Sequence, residues 1–464
     1  MIRKPCHGGR ALLLVLSACA SLLAHAGEFL SAFEAALQND AGFQSARAEL
    51  ASAQQNLPIA KAGLRPNLSL SFSDSKVEGT RTIDNPAPFP PTTTPLDYRA
   101  PARSLNLRAP LYNREASKKI DAAAAQEKAA QAVFALRQMD LLDRLAKAWL
   151  DARFAQQDLL LAQAQATALA SQSELVQRRL ALGEGTRLEV ADAQAQLEQA
   201  KVAVSDAQLQ LDLAQLTVRQ TTGSTPGLAA PGSVQLAKPV SAAWVGAAKM
   251  PPLEPLADLQ AKAEANSPSL LSRRYAIEVA GLNVERARAG HYPRLDLVAS
   301  LSQSANESLS TVNQAATQQS LGLQLNIPLY GGGAVNAGVT QALADQQKAQ
   351  ADLLVEQQTL VRDLTRLYYA AVQAGLRVAA QEKAIAAAQL TLQAAARGLA
   401  AGLASQAEII QAQRRIAQSR QDWTQALQDQ MLAQLRVQER VNAEAALVAN
   451  LVDGWLAQIS FDAP

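Results

Sequence analysis

Apolar residues advance in alternating steps of three and four along Val190, Ala193, Leu197, Ala200, Val204, Ala207, Leu211, Ala214 and Val218. That stepping is the seam of a coiled-coil helix. The helix follows Leu182-Gly183-Glu184-Gly185-Thr186-Arg187, and another Ala/Leu/Gln-rich helical pattern runs into the same stretch from residue 114. Gly183 and Gly185 offer the backbone freedom to reverse the chain between them. The pattern predicts the tip of a long antiparallel helical hairpin. A second tip stands at Gly402-Leu403-Ala404-Ser405-Gln406-Ala407-Glu408. Gly183, Glu189, Val190, Ala193 and Gln194 recur as Gly402, Glu408, Ile409, Ala412 and Gln413, each 219 positions later. The chain is a tandem duplication with one tip per half.

The rest of each half repeats as well. Phe29, Phe33, Ala36, Leu37, Ala46, Leu50 and Ala53 predict one helix over 28–63, ending at Gly63 and Pro66. Asn67-Leu68-Ser69-Leu70-Ser71-Phe72-Ser73 then alternates polar and apolar, as a strand does. Residues 74–102, rich in Pro, Thr and Asp, predict an exposed loop. A second alternating strand runs through Leu105 and Leu107 to Pro110-Leu111-Tyr112. In the second half Asn266-Ser267-Pro268 answers Asn39, and Leu295, Leu297, Ala299 and Leu301 alternate with polar residues apart from Val298. A polar loop is expected at about 303–318, followed by Leu321, Leu323, Leu325 and Ile327 on the last strand. Pro328-Leu329-Tyr330 answers Pro110-Leu111-Tyr112. The long helix of this half is expected over about 333–401 and its return over about 407–442. The segmentation is 1–26, a first repeat over 27–222, a linker over 223–255, a second repeat over 256–442, and an unpatterned segment over 443–464.

Length sets the architecture. Each long helix has about 69 residues, or about 100 Å at 1.5 Å per residue. Two helices of about 36 and 34 residues, stacked end to end, match one long helix. Each strand is expected to be about nine residues, the length that crosses a bilayer in a tilted barrel. The alternation is apolar outward and polar inward. Four strands cannot close a barrel, and open edges are not tolerated in lipid, so chains must associate. Three copies give twelve strands.

Composition supports long helices over a compact enzyme: aromatic residues are only 4% of 464. Residues 1–26 read as a secretory signal: Arg3, Lys4 and Arg10, an apolar run from Ala11 to Leu23, then Ala24-His25-Ala26 before Gly27. Cleavage is expected between Ala26 and Gly27. Leu16-Ser17-Ala18-Cys19 offers a competing reading as a lipobox with a lipidated Cys19. Removing Arg3, Lys4 and Arg10 from 43 basic residues leaves 40 against 41 acidic ones. That balance gives no ground for nucleic-acid binding. Cys6 and Cys19 both precede Gly27, so no disulfide or metal framework follows. No later segment holds the ~20 apolar residues of a membrane helix.

Candidate chemistry is sparse. His7, His25 and His291 have no metal spacing, and no catalytic triad or dinucleotide motif appears. Gly331-Gly332-Gly333 lacks the Lys-Ser/Thr of a phosphate loop and reads as a strand-to-helix joint. No cofactor, metal or catalytic role is expected. Glu184, Glu189, Asp192 and Glu408 near the tips read as a solvated helix face. The alternative is that Glu408, on one face with Gln411, lines a constriction. Trp149 and Tyr368, mid-helix with Leu145 and Leu364, are expected in core packing or subunit contacts. Tyr112, Tyr292 and Tyr330 at strand ends fit an aromatic girdle.

Together the duplicated helix–strand–strand–helix plan, the Pro-Leu-Tyr strand exits and Gly183-Glu184-Gly185-Thr186-Arg187-Leu188-Glu189-Val190-Ala191-Asp192-Ala193 resemble the TolC family of outer-membrane channels. The resemblance covers nearly all of 28–442. It implies a mainly α chain with a transmembrane β-barrel. Three copies form a twelve-stranded barrel in the outer membrane on a twelve-helix tunnel through the periplasm. It implies a periplasmic adaptor and an inner-membrane ABC or proton-driven transporter as partners, and no enzymatic activity. The aperture aspartates of the family fall on Glu408 and Gln411, so the acidic ring is weaker here. The first-tip acid falls on Glu189. The latch tyrosine and arginine fall on Leu399 and Ala404, so that latch is absent or differently built. Gly183, Gly185, Glu189, Asp192 and Gly402 form the tips on which an adaptor docks. The Gly-Glu-Gly-Thr-Arg wording resembles members serving type I protein secretion. Multidrug efflux is the rival within the class, and a periplasmic coiled-coil adaptor or scaffold the rival outside it.

Overall fold

The computed structural model describes residues 28–84, 88, 90–223, 250–306, 314–401, 403, 404 and 406–458. The Ala26–Gly27 junction, both cysteines, Gly402, Ser405 and most of the expected linker lie outside them. The elements run α1 (Glu28–Asn39), α2 (Ala41–Gln54), α3 (Asn56–Ala62), β1 (Asn67–Ile83), β2 (Thr92–Asn113), α4 (Arg114–Ala181) and α5 (Arg187–Thr222). The second half follows with α6 (Leu256–Asn266), α7 (Pro268–Arg288), β3 (Arg294–Asn306), β4 (Gln314–Asn326), α8 (Ala334–Ala400), α9 (Gln406–Val441) and α10 (Ala445–Gln458). The duplicated helix–strand–strand–helix order holds, and the long helices have 68 and 67 residues.

The chain forms two compact units that cut across the sequence repeats. One comprises Met1–Glu49, Ala132–Leu271 and Val355–Pro464; the other Leu50–Gln131 and Ser272–Leu354. In the first unit α1 seats Phe29, Phe33 and Ala36 against Leu141, Leu142, Leu145 and Trp149 of α4. Phe29 meets Trp149 edge to face, with ring centroids 6.1 Å apart. A second cluster joins Leu150 and Phe154 of α4 to Val378 and Ile385 of α8 and Trp423, Leu427 and Met431 of α9. Trp149 is a core residue as expected, while Tyr368 is half-buried and packs its ring edge on Tyr369.

Two helix expectations need correction here. The single helix over 28–63 is three helices. Asp40 stops the first and caps the second: its Oδ1 accepts from the Phe43 N–H at 2.7 Å. Arg144 of α4 donates to both Asp40 oxygens at 3.2 Å. Burial pushes the Asp40 pKa up, but the Arg144 and Phe43 hydrogen bonds outweigh it and hold it below the ordinary value. The second half breaks at the corresponding place, where α6 ends at Asn266 and Pro268 opens α7. The segment after 442, expected to be unpatterned, also holds a helix. Its helix α10 buries Val448, Ala449, Val452 and Trp455 in the main core.

The second unit holds an antiparallel sheet in the order β1-β2-β3-β4. Its strands have 17, 22, 13 and 13 residues, longer than the nine expected. The expected loop over 74–102 is mostly strand: Asp74 pairs with Pro101, and the ladder continues to Ile83 opposite Thr92. Pro95 and Pro101 sit where β3 does not reach β2, so their missing N–H groups break no second ladder. The loop at 303–318 shrinks in the same way, with β3 continuing to Asn306 and β4 beginning at Gln314. Gly332 and Gly333 at φ +60° and +82° turn the chain from β4 into α8, so the triglycine is the joint that was expected.

Candidate functional site: the helical tips and the apolar sheet face

The first tip is two capping motifs back to back. At the end of α4 the Glu184 N–H donates to the Arg179 carbonyl and the Gly183 N–H to the Leu180 carbonyl. With Gly183 at φ +80°, this is a Schellman ending. Thr186 then caps α5. Its hydroxyl accepts from the Glu189 N–H at 3.3 Å, while its own N–H donates to Glu189 Oε2 at 3.0 Å. This reciprocal capping box leaves no slack between the helices. Glu189 is therefore part of the turn and not a merely solvated acid. Gly185 also differs from expectation, because it has no positive φ. A Cβ there would lie 3.1 Å from the Leu180 backbone nitrogen and 3.4 Å from Glu189 Oε2, so close approach rather than backbone angle favours the glycine.

At Gly183 a Cβ would meet nothing within 4 Å. Only the backbone angle opposes a side chain, so Gly183→Val is expected to destabilise by about 1–2 kcal/mol. Gly183→Asn should recover most of that, because asparagine tolerates the left-handed region. Thermal unfolding of the purified variants checks this; a valine variant melting like the parent refutes it.

The tip surface exposes leucines among charges of both signs, with Arg178, Arg179 and Arg187 exposed beside the acids. Leu182, Leu188 and Leu403 are 76%, 70% and 86% exposed. Glu184 and Asp192 are exposed as well. At the second tip the N–H groups of Leu403 and Ala404 both donate to the Gly398 carbonyl, at 2.8 and 3.2 Å. Glu408 and Gln411 lie one helical turn apart on α9, both exposed. A cleft of about 890 Å³ between α4, α5 and α9 is lined by Asp151, Asp158, Gln196, Gln199, Arg414 and Gln418, among others. Burial pushes Asp158 up to about 6. Sequence reading missed this cleft because its polar residues are spread over three helices.

The sheet of the second unit offers a separate candidate surface. Residues paired across strands share a face. One face holds the rows Leu68–Leu107–Ala299–Leu321, Leu70–Leu105–Leu301 and Leu297–Leu323. Leu68, Leu70, Phe72, Leu321, Leu323 and Leu325 are 59–75% exposed, so none of the described residues covers this face. The opposite face holds the rows Ser69–Asn106–Ser300–Ser320 and Ser71–Ser104–Ser302. Ser71 and Ser104 are hydrogen-bonded at 2.7 Å, as are Ser300 and Ser320. Arg108 donates from Nε to the buried Asp296 at 3.1 Å on the same polar face. Tyr112 and Tyr292 sit at the strand ends, with Arg114 stacked 4.2 Å from the Tyr292 ring centroid. Tyr330 is 90% exposed. Among the described residues no helix is long and apolar enough to cross a membrane. The apolar sheet face is the surface suited to lipid.

Comparison with known proteins agrees with this arrangement. The profile of the family described as "Outer membrane efflux protein" matches residues 32–224 and 259–443. The chain is 31% identical over 385 residues to the proteases secretion protein PrtF of Dickeya chrysanthemi, covering 82% of this chain and 80% of PrtF. It is 29% identical over 367 residues to the alkaline protease secretion protein AprF of Pseudomonas aeruginosa, covering 78% and 73%. Its fold matches the crystal structure of the transmembrane channel CusC with a TM-score of 0.72 at 17% identity, over 89% of this chain and 92% of that one. The TolC-type resemblance was therefore sound, and the chain belongs to the outer membrane efflux protein family, whose members are channel proteins of the Gram-negative outer membrane.

Proposed function

We propose that this chain is the outer-membrane channel of a type I protein secretion system. Three copies pair β4 of one with β1 of the next and close a twelve-stranded barrel on a helical tunnel. An inner-membrane ABC transporter supplies the energy, and a periplasmic adaptor docks on the tips. The observation that carries this reading is the sheet: an uncovered leucine face, a serine face and two unpaired edges on one four-stranded unit. The likeness to PrtF and AprF supports protein as the cargo. The exposed Leu182, Leu188 and Leu403 support docking at the tips around Gly183, Gly185, Glu189, Asp192 and Gly402. Cleavage between Ala26 and Gly27 belongs to the same reading. The test is complementation. In a strain lacking its PrtF- or AprF-type component, this chain with its cognate transporter and adaptor is expected to restore extracellular protease. Trimers in the outer membrane without export of protease refute it. Restored drug resistance in their place would favour the efflux reading that the family's description supports.

Glu408 and Gln411 are proposed to ring the periplasmic aperture. One carboxylate per chain gives three charges where two would give six. Block by divalent or trivalent cations from the periplasmic side is therefore expected to be weak. Through the 219-residue repeat Glu408 stands where Glu189 closes its capping box. Glutamine keeps a capping acceptor and removes the charge. Glu408→Gln is expected to weaken the block further and Gln411→Asp to strengthen it, in single-channel recordings. Strong block indifferent to Glu408 would place the constriction elsewhere.

A further inference from the structure

The leucine face of the sheet ends abruptly. Its last apolar row is Leu70–Leu105–Leu301–Gln319, and the next row on the same face is Phe72–Arg103–Gln303–Thr317. Phe72 is 68% exposed, and Arg103, Gln303 and Thr317 are exposed as well. Above this row β3 leaves β2 at Ala102, and β1 and β2 go on as a two-stranded upper ribbon. There the same face carries Asp74 opposite Pro101, Lys76 opposite Arg99 and Glu78 opposite Asp97. The cations of this face of the sheet are thus Lys76, Arg99 and Arg103. Arg99 reaches Asp74 at 2.8 Å, while Lys76 reaches Asp97 at 3.3 Å and also pairs with Glu78. Arg103 has no acid of its own among the described residues. Its neighbours across the strands are Phe72 and Gln303, and the diagonal acid, Asp74, is held by Arg99. Height places the row. Eight residues separate Thr317 from Leu325 on β4, about 27 Å along the strand at 3.4 Å per residue. At a barrel tilt of about 40° that is about 20 Å of height. Exposed Ile327, just past the strand, extends the band towards the ~25 Å of an outer-membrane barrel. The Arg103 row therefore marks the upper edge of the apolar band.

We propose that Arg103 binds a phosphate of the lipid in the outer leaflet, with its guanidinium at head-group level and Phe72 among the acyl chains. This rests on the barrel reading above, in which the leucine face meets lipid and the upper ribbon points away from the periplasm. The row continues the lipid surface without a break, so the occupant is the lipid already beside it. A guanidinium with no carboxylate of its own is matched by an anion, and its planar fork fits two phosphate oxygens at once. Gln303, its neighbour on β3, offers an amide donor to a further oxygen. The long arginine stem lies along the apolar rows while its head reaches the polar layer. The ligand class is a lipid with phosphate on its head group, and the outer leaflet of a Gram-negative outer membrane supplies one in lipopolysaccharide.

The test uses the full chain purified from outer membranes in detergent, with bound lipid counted by native mass spectrometry. The probes are diphosphorylated lipid A, the same lipid stripped of its phosphates, and inorganic phosphate. The parent is expected to hold diphosphorylated lipid A about tenfold more tightly than Arg103→Gln does. The stripped lipid should not distinguish the two, and millimolar inorganic phosphate should leave the binding unchanged. Arg103→Lys keeps the charge and loses the fork, so it should fall between them. Lys76→Gln, which removes a cation that already has its acids, should bind like the parent. Equal binding by parent, Arg103→Gln and Arg103→Lys overturns the proposal alone. So does a loss in Lys76→Gln as large as that in Arg103→Gln, which would make the attraction diffuse. Displacement of the lipid by inorganic phosphate would make this a plain anion site and overturn the lipid assignment. If Arg103→Gln does not assemble, the comparison of parent with Arg103→Lys decides. A parent chain absent from the outer-membrane fraction overturns the barrel reading and this one with it.

Discussion

A Leu107→Arg chain is expected to be exported to the periplasm and to fail as an outer-membrane channel, while Asn106→Arg is tolerated. The two residues are adjacent on β2 and differ only in the face they occupy. Leu107 sits in the middle of the apolar rows, paired with Leu68 and Ala299. An arginine at the lipid-facing midplane of a barrel costs about 2–4 kcal/mol, and closure repeats that cost in every copy. Asn106 lies on the serine face between Ser69 and Ser300, where a charge meets polar neighbours. Charge, volume and helix-neutral context are alike in the two variants, so the contrast isolates the lipid contact. Membrane fractionation and heat-modifiable mobility on gels provide the readout. Equal assembly of both variants would mean that the leucine face does not meet lipid.

What the sequence disclosed depended on whether a period ran unbroken. The seam from Val190 to Val218 keeps one phase for four heptads and marks α5 without help from packing. The alternation around Leu68 and Leu70 marks the lower sheet for the same reason. The upper ribbon was hidden because its apolar residues move from even positions, Leu68 to Phe72, to odd ones, Val77 and Ile83. A period-two search sees the run stop there, and the prolines reinforce the false ending. Helix α10 was hidden by the opposite cause: Ala445-Ala446-Leu447-Val448-Ala449 is apolar on all sides, so no stripe emerges. Two signals were present and underused. Asn39-Asp40 is a helix stop followed by a cap, and Thr186 with Glu189 is a capping-box spacing. An aperture built by several copies has a different status. Glu408 and Gln411 are exposed in one chain, and only the symmetry axis would bring them together.

Glu439→Gln is expected to stabilise the helical unit, and to do so more as pH rises. Glu439 lies on α9 close to the Asp143–Arg436 ion pair, whose nitrogen and oxygen are 3.1 Å apart. Its Oε1 is buried and meets no hydrogen-bond donor. Burial pushes the carboxyl up to about 9 from 4.5. Asp143 and Asp140 add to the rise, and Arg436 and Arg440 only partly oppose it. An acid whose pKa is raised by folding binds more protons folded than unfolded. Its contribution is therefore fully present below 4.5 and is lost as pH climbs towards 9. At pH 7 the gap of 2.5 units from 4.5 corresponds to about 3 kcal/mol, at roughly 1.4 kcal/mol per unit. Glutamine keeps the shape, supplies a donor and never ionises, so the variant should lack this slope. Denaturant midpoints of parent and variant should converge near pH 4.5 and separate steadily to pH 9. Parallel pH profiles would show that Glu439 is ionised in the folded protein, held by Arg436 and Arg440 against its burial.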